Sequence, residues 1–185
     1  ENATPDERRY HYARMLAALT EYWRANRTCA GVLHFALLGY SRANGQTSDN
    51  FINVDSLIFE PFFEKYVKDA FSPVGICIER WDEVYHSNKI SMKRYHKNFV
   101  DMPVIITNDE NCAENGIIDL VVKTYSDSVL TRVKKNYQIN AFEQKRIFIK
   151  PEIPIQEGEY QLVATLHTQN YPPVSSYRDF RVGPK

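Results

Sequence analysis

The spacing of apolar positions changes once along the chain, near Ala70 to Pro73, and divides it into two textures. Residues 5–70 read as helices around one apolar strand, and residues 71–183 as short strands separated by turn residues. The expected domains are therefore 1–70 and 71–185. In the first, Thr4 is placed to cap a helix with Pro5 at its first position and Asp6 and Glu7 in its first turn. Tyr12, Met15, Leu16, Leu19 and Trp23 then recur at spacings of three and four, which puts them on one face that must pack against something. Arg8, Arg9, Arg14, Glu21 and Arg24 take the other faces.

The run Ala30 to Leu38 is apolar without period, as expected of a strand covered on both faces. Gly39 to Asn53 reads as a loop, and Ser56 to Ala70 as a second amphipathic helix with Phe59, Phe62, Phe63, Tyr66 and Val67 inward. Pro61 must sit in that helix's first turn or break it. One buried strand between two helices has no neighbours to satisfy its backbone, so this part needs a partner: a larger protein, the second part, or another copy.

The second part offers seven strands, at about 73–81, 99–107, 116–125, 129–138, 144–150, 158–168 and 175–182. Asn115-Gly116, Glu157-Gly158 and Pro172-Pro173 supply turn signals between them. Seven strands are what a constant-type immunoglobulin sandwich uses, but no Cys…Trp…Cys pattern ties the sheets together. The fold class expected is α+β: a helix–strand–helix segment followed by an immunoglobulin-like antiparallel β-sandwich.

Composition narrows the partners. Lys plus Arg and Asp plus Glu each number 23, so no net field draws the chain to nucleic acid or an anionic membrane. The apolar run at 30–38 is about half the length of a bilayer-spanning helix, and residues 1–20 lack a signal-peptide core, so no membrane span is expected. Aromatic residues make up 13% of the chain, enough for a packed core. Cys29, Cys77 and Cys112 lie far apart with no CxxC spacing, so neither metal, cofactor nor disulfide framework is expected. Asn2-Ala3-Thr4 and Asn26-Arg27-Thr28 fit the glycosylation tripeptide, a pattern that also arises by chance.

The stretch Tyr22 to Phe35, followed by Tyr40-Ser41-Arg42 and Thr47-Ser48-Asp49-Asn50, resembles the end of the catalytic barrel in family 2-like glycoside hydrolases. The passage from Glu60-Pro61-Phe62-Phe63 to Phe71-Ser72-Pro73-Val74-Gly75 is similar to their crossing into an immunoglobulin-like module. Val104 to Asp109, Gly158-Glu159-Tyr160 and Tyr177 to Phe180 are similar to strands of that module. The resemblance implies that residues 1–70 are the terminal helix–strand–helix segment of a (β/α)₈ barrel, with 30–38 as its eighth strand. It also implies that the two glutamates of a retaining mechanism come from earlier strands, upstream of Glu1. The partners implied are the upstream barrel and, through the parent enzyme, carbohydrate; by itself the chain is expected to be inactive and, with barrel-facing surface uncovered, to form a homo-oligomer.

Barrel active sites lie at the C-terminal strand ends, which makes His34, Phe35, Tyr40, Arg42, Asp49 and Asn50 candidate sugar contacts and leaves no catalytic residue in the chain. His34 inside an apolar run also reads as a hydrogen-bonded core histidine, and Asp49-Asn50 as a turn cap. Glu79, Asp82 and Glu83 near Trp81 read as solvated strand-end charges, and His86 to Lys97 as a basic loop; no GxSxG elbow is present. The competing expectation is a non-catalytic module that binds carbohydrate or protein through its sandwich loops.

Overall fold

Thr4 begins the first helix by accepting the Glu7 N–H at 3.3 Å, while the Glu7 carboxylate accepts the Thr4 N–H at 2.7 Å, a reciprocal capping box with Pro5 behind it. The resulting helix α1 spans Pro5–Ala25. In this computed structural model the described residues are 3–26, 31–33, 41–42, 45–46, 50–80, 83–86 and 99–183. The chain divides into two compact units, Glu1–Phe71 and Ser72–Lys185.

In the first unit, two short ladders follow α1: β1 (Ser41–Arg42) with β2 (Gly45–Gln46), and β3 (Phe51–Asn53) with β4 (Ile58–Phe59). The second helix, α2, spans Pro61–Ala70, five residues shorter at its start than the apolar pattern predicts. Pro61 has no N–H to donate upstream, and the Glu60 carboxylate accepts the Phe63 N–H at 2.8 Å, so the helix starts there. Asn53 holds the preceding turn by accepting the Ser56 N–H at 2.9 Å.

Helix α1 packs on α2 through its small residues. Ala13, Ala17 and Thr20 are buried, Tyr10 meets Phe62 and Tyr66 edge-on, and the Arg14 guanidinium lies 5.3 Å from the Tyr66 ring centre. An Arg24 nitrogen donates to the Ala70 carbonyl at 2.6 Å and closes the end of α2. Of the face expected to pack, Tyr12, Met15, Leu19 and Trp23 are exposed, Met15 to 65%, and Leu16 is half-buried. Close helix approach favours alanine and threonine at the contact, which turns the larger side chains outward. Of the expected buried strand at 30–38, Gly31, Val32 and Leu33 form no strand and Leu33 is 97% exposed; Ala30 and His34 to Leu38 lie outside the described residues.

The second unit is an antiparallel β-sandwich. One sheet, in the order β10-β7-β5, contains β5 (Val74–Ile78), β7 (Met102–Asn108) and β10 (Gln144–Ile149). The other, in the order β6-β12-β11-β8-β9, contains β6 (Glu83–His86), β8 (Glu114–Lys123), β9 (Val129–Ile139), β11 (Gly158–Thr168) and β12 (Val174–Gly183). All seven strand regions read from the sequence are present. The added β6 pairs in parallel with β12. A constant-type immunoglobulin sandwich sets its fourth strand beside its fifth, whereas here the corresponding β9 pairs with β8.

Alternate residues meet between the sheets: Ile76, Ile78, Val104 and Ile106 from one side, and Ile118, Leu120, Leu162 and Leu166 from the other. Each such side chain contributes about 1.5–3 kcal/mol on burial. The sheet margins are closed by side chains. Ser176 Oγ accepts the Ile78 N–H at 3.0 Å, and buried Arg178 donates from Nε to the Arg80 carbonyl at 2.7 Å, joining β12 to the β5 margin. Opposite, Lys135 Nζ donates to the Phe148 carbonyl and Lys145 Nζ to the Gln138 carbonyl, each at 2.9 Å, joining β9 and β10.

Asn115-Gly116 is not the turn its composition suggests. Both residues lie inside β8, where a Cβ on Gly116 would stand 1.9 Å from the His167 carbonyl oxygen. Glycine is required there by the close approach of β11.

Candidate functional site

Of the six residues expected to touch sugar, His34, Phe35, Tyr40 and Asp49 lie outside the described residues. Arg42 ends the short strand β1, which pairs with Gly45 of β2. Asn50 is buried: its Oδ1 accepts from the Tyr12 hydroxyl at 3.2 Å and its carbonyl accepts the Glu60 N–H at 2.9 Å. It thereby ties α1 to the start of α2.

Among its described residues the first unit presents two apolar surfaces. One is the stripe of Tyr12, Met15, Leu19 and Trp23 along α1. The other is a cleft of about 410 Å³ along α2, lined by Val32, Leu33, Phe59, Phe63, Val67 and Phe71, with a Glu64–Lys68 pair at 3.8 Å. Its described walls are aliphatic and aromatic, and the ion pair within them is self-neutralised.

In the second unit, three connections gather at one end of the sandwich. Buried Asn108 organises two of them: its Nδ2 donates to the Cys112 carbonyl at 2.8 Å and the Asn140 carbonyl at 2.9 Å, its Oδ1 accepts the Glu110 N–H at 3.0 Å, and its own N–H reaches the Glu143 carbonyl at 2.9 Å. Phe142, at the tip of the 140–143 turn, has φ 55° and is 67% exposed, held by its N–H bond to the Glu110 carbonyl. A left-handed phenylalanine with its ring in solvent is an unfavourable conformation that the surrounding bonds impose. The third connection is tied in by Asn170, whose Nδ2 donates to Glu114 Oε1 at 2.8 Å.

Glu114 is fully buried beneath these loops, and its other oxygen has no hydrogen-bond partner among the described residues; the same holds for the Tyr137 hydroxyl. Burial and the nearby Glu114 carboxylate push the Tyr137 phenol up to about 12. The Tyr171 phenol is also raised, by desolvation first and then by Glu110, Cys112 and Glu114. Nothing in the sequence singles out Asn108, Glu114 or Tyr137, because each occupies an ordinary strand position whose chemistry comes from tertiary neighbours.

The carboxylate of Glu79, expected to be a solvated strand-end charge, is bound to the guanidinium of Arg146. Asp82 and Trp81 lie outside the described residues. Among the described residues, no cluster of three or more His, Cys, Asp or Glu side chains could hold a metal ion, and no helix is long and apolar enough to cross a membrane.

No family model and no curated sequence matches the chain. Among solved structures, it is similar to a glycosyl hydrolase family 2 member from Bacteroides cellulosilyticus, with 15% identity over 44% of this chain and 12% of that one and a TM-score of 0.39. A β-glucuronidase of glycoside hydrolase family 2 gives 13% identity over 47% of this chain and 10% of that one, with a TM-score of 0.39. The CARDB domain of a Pyrococcus furiosus protein, in complex with di-metal ions, gives 15% identity over 60% of this chain and 87% of that domain, with a TM-score of 0.43. The chain thus spans about a tenth of the length of the two hydrolases, and likenesses this slight decide nothing about function.

Proposed function

We propose that this chain is the closing part of a glycoside hydrolase, with the first unit completing a (β/α)₈ barrel and the immunoglobulin-like sandwich serving as an accessory domain. The observation that carries this reading is the uncovered apolar stripe on α1. A helix that buries alanines against its neighbour while exposing Tyr12, Met15, Leu19 and Trp23 has a second face to cover. In a barrel, a sheet covers that face. The sequence resemblance across both units supports the same reading. Catalytic glutamates are then supplied by the rest of the enzyme, and the 185-residue chain contributes fold and substrate-facing loops.

Recovery of the intact polypeptide with an antibody raised against this chain tests the proposal. A mass far above 21.6 kDa together with turnover of nitrophenyl glycosides is expected, while the isolated chain is inactive. An intact polypeptide of about the same mass as the chain, or turnover by the chain alone, overturns it.

A second reading, a non-catalytic binding module, is favoured by one specific observation: the strained, solvent-facing Phe142 on loops clamped by Asn108. Titration with oligosaccharides separates the two. Saturable heat lost in Phe142→Ala supports the module, and no heat supports the accessory role.

A further inference from the structure

The sandwich carries a groove of about 610 Å³ that neither reading uses. It lies where the 151–157 segment crosses from β10 to β11. Ile153, Pro154 and Tyr160 line it from buried or half-buried positions, while Leu130 and Ile155 stand 47% and 59% exposed. Glu152 and Glu159 also line it, and among the described residues no lysine or arginine does.

Among the described lining residues the charge is unbalanced; Arg181 stands opposite Glu159 in the β11–β12 ladder but forms no ion pair with it. The lysines closest in sequence are engaged elsewhere, Lys123 with Asp127 at 2.6 Å and Lys150 with Asp101 at 3.3 Å. Among the described residues no ion pair neutralises Glu152, Glu157 or Glu159. The walls are also preformed: Thr131 Oγ1 donates to the Glu152 carbonyl at 3.0 Å and the Tyr160 hydroxyl to the Gln156 carbonyl at 2.8 Å. A fixed groove loses little entropy on filling.

From this geometry we infer a docking groove for an extended segment of a protein partner that places a lysine or arginine beside an aliphatic side chain. The cation meets Glu152 and Glu159, and the aliphatic group covers Ile155 and Leu130. The exposed walls are aliphatic, so they offer a sugar no ring to stack on, and the described residues offer a metal ion no set of three ligands. This inference stands whether or not the barrel reading holds.

The test is NMR titration of the isotope-labelled full chain with acetyl-Leu-Lys-Leu-Lys-amide, using acetyl-Leu-Glu-Leu-Glu-amide as the control. Saturable shifts confined to residues 124, 130–131 and 152–160 are expected with the basic peptide, and none with the acidic one. The double variant Glu152→Gln/Glu159→Gln should bind about tenfold more weakly. Binding should also weaken at about 0.5 M salt, where surface charges are screened. Glu159 is exposed and Glu152 half-buried, and the variant's spectrum outside the groove reports whether it is folded. No saturable shifts, an equal response to the acidic peptide, or undiminished binding by the variant overturns the inference.

Discussion

Replacing Gly116 with alanine tests the packing of the sandwich at its tightest point. The new methyl would lie 1.9 Å from the His167 carbonyl oxygen and 3.2 Å from Tyr137 Cε1. The tyrosine ring can shift by the few tenths of an ångström required, but the carbonyl belongs to β11 and cannot. In the ladder, Gly116 faces Thr168 and Ile117 faces His167, so β8 and β11 must part by roughly another ångström at this end. Overpacking plus two or three lost ladder hydrogen bonds costs about 2–4 kcal/mol. Urea unfolding followed by circular dichroism should show a midpoint lower by roughly 1–2 M. Gly183→Ala in β12 is the control, because its Cβ would find only an Arg181 nitrogen at 3.6 Å. If Gly116→Ala unfolds at the wild-type midpoint and its β8 amides keep wild-type exchange protection, the argument that β11 forbids a side chain here is wrong.

Other positions give sharper tests of single interactions. Tyr137, neutral in the fold up to about 12, should withdraw its stabilising effect as pH rises from its ordinary value of 10.0 through that range, because only the unfolded chain releases the proton there. Tyr137→Phe should therefore flatten the loss of stability in alkali, as read from melting temperature against pH, and cost little at neutral pH. Arg178→Met strands the Arg80 carbonyl and should cost about 1–3 kcal/mol in urea unfolding. Thr4→Ala removes the cap of α1 and should cost about 1 kcal/mol. Glu7, whose carboxyl is held below the usual carboxylate range by the Thr4 N–H and hydroxyl, should let the first turn of α1 fray as pH falls through its lowered value. Amide exchange at Glu7 checks this, and in Glu7→Gln the pH dependence should vanish.

Where a local rule acts alone, the sequence was sufficient. Thr4, Pro5 and Glu7 specify the start of α1 without help from elsewhere, and the β-branched and apolar residues of 116–122 and 161–166 located β8 and β11. The pattern failed where a distant element decides. Asn115-Gly116 has the composition of a turn, yet it is glycine because β11 passes within contact of it. The stripe on α1 was right as a stripe, but the alanines opposite proved to be the face that meets α2, since helix pairing rewards small residues that a hydrophobicity count undervalues. The start of α2 moved to Pro61 because a capping carboxylate and a missing N–H outweigh the apolar Phe59 upstream. Of the candidate sugar contacts, Asn50 shows why a site is hard to read from order alone: its partners, Tyr12 and Glu60, are set by the fold.

Oxidation of Met15 tests most directly whether the α1 stripe is a surface awaiting its barrel. In the dilute 185-residue chain Met15 is 65% exposed and should be oxidised by peroxide as readily as a free methionine. In the intact polypeptide the account predicts strong protection of Met15, measured by mass spectrometry of the same tryptic peptide. Equal oxidation rates in the two would mean that nothing covers the stripe, and the barrel assignment would fail.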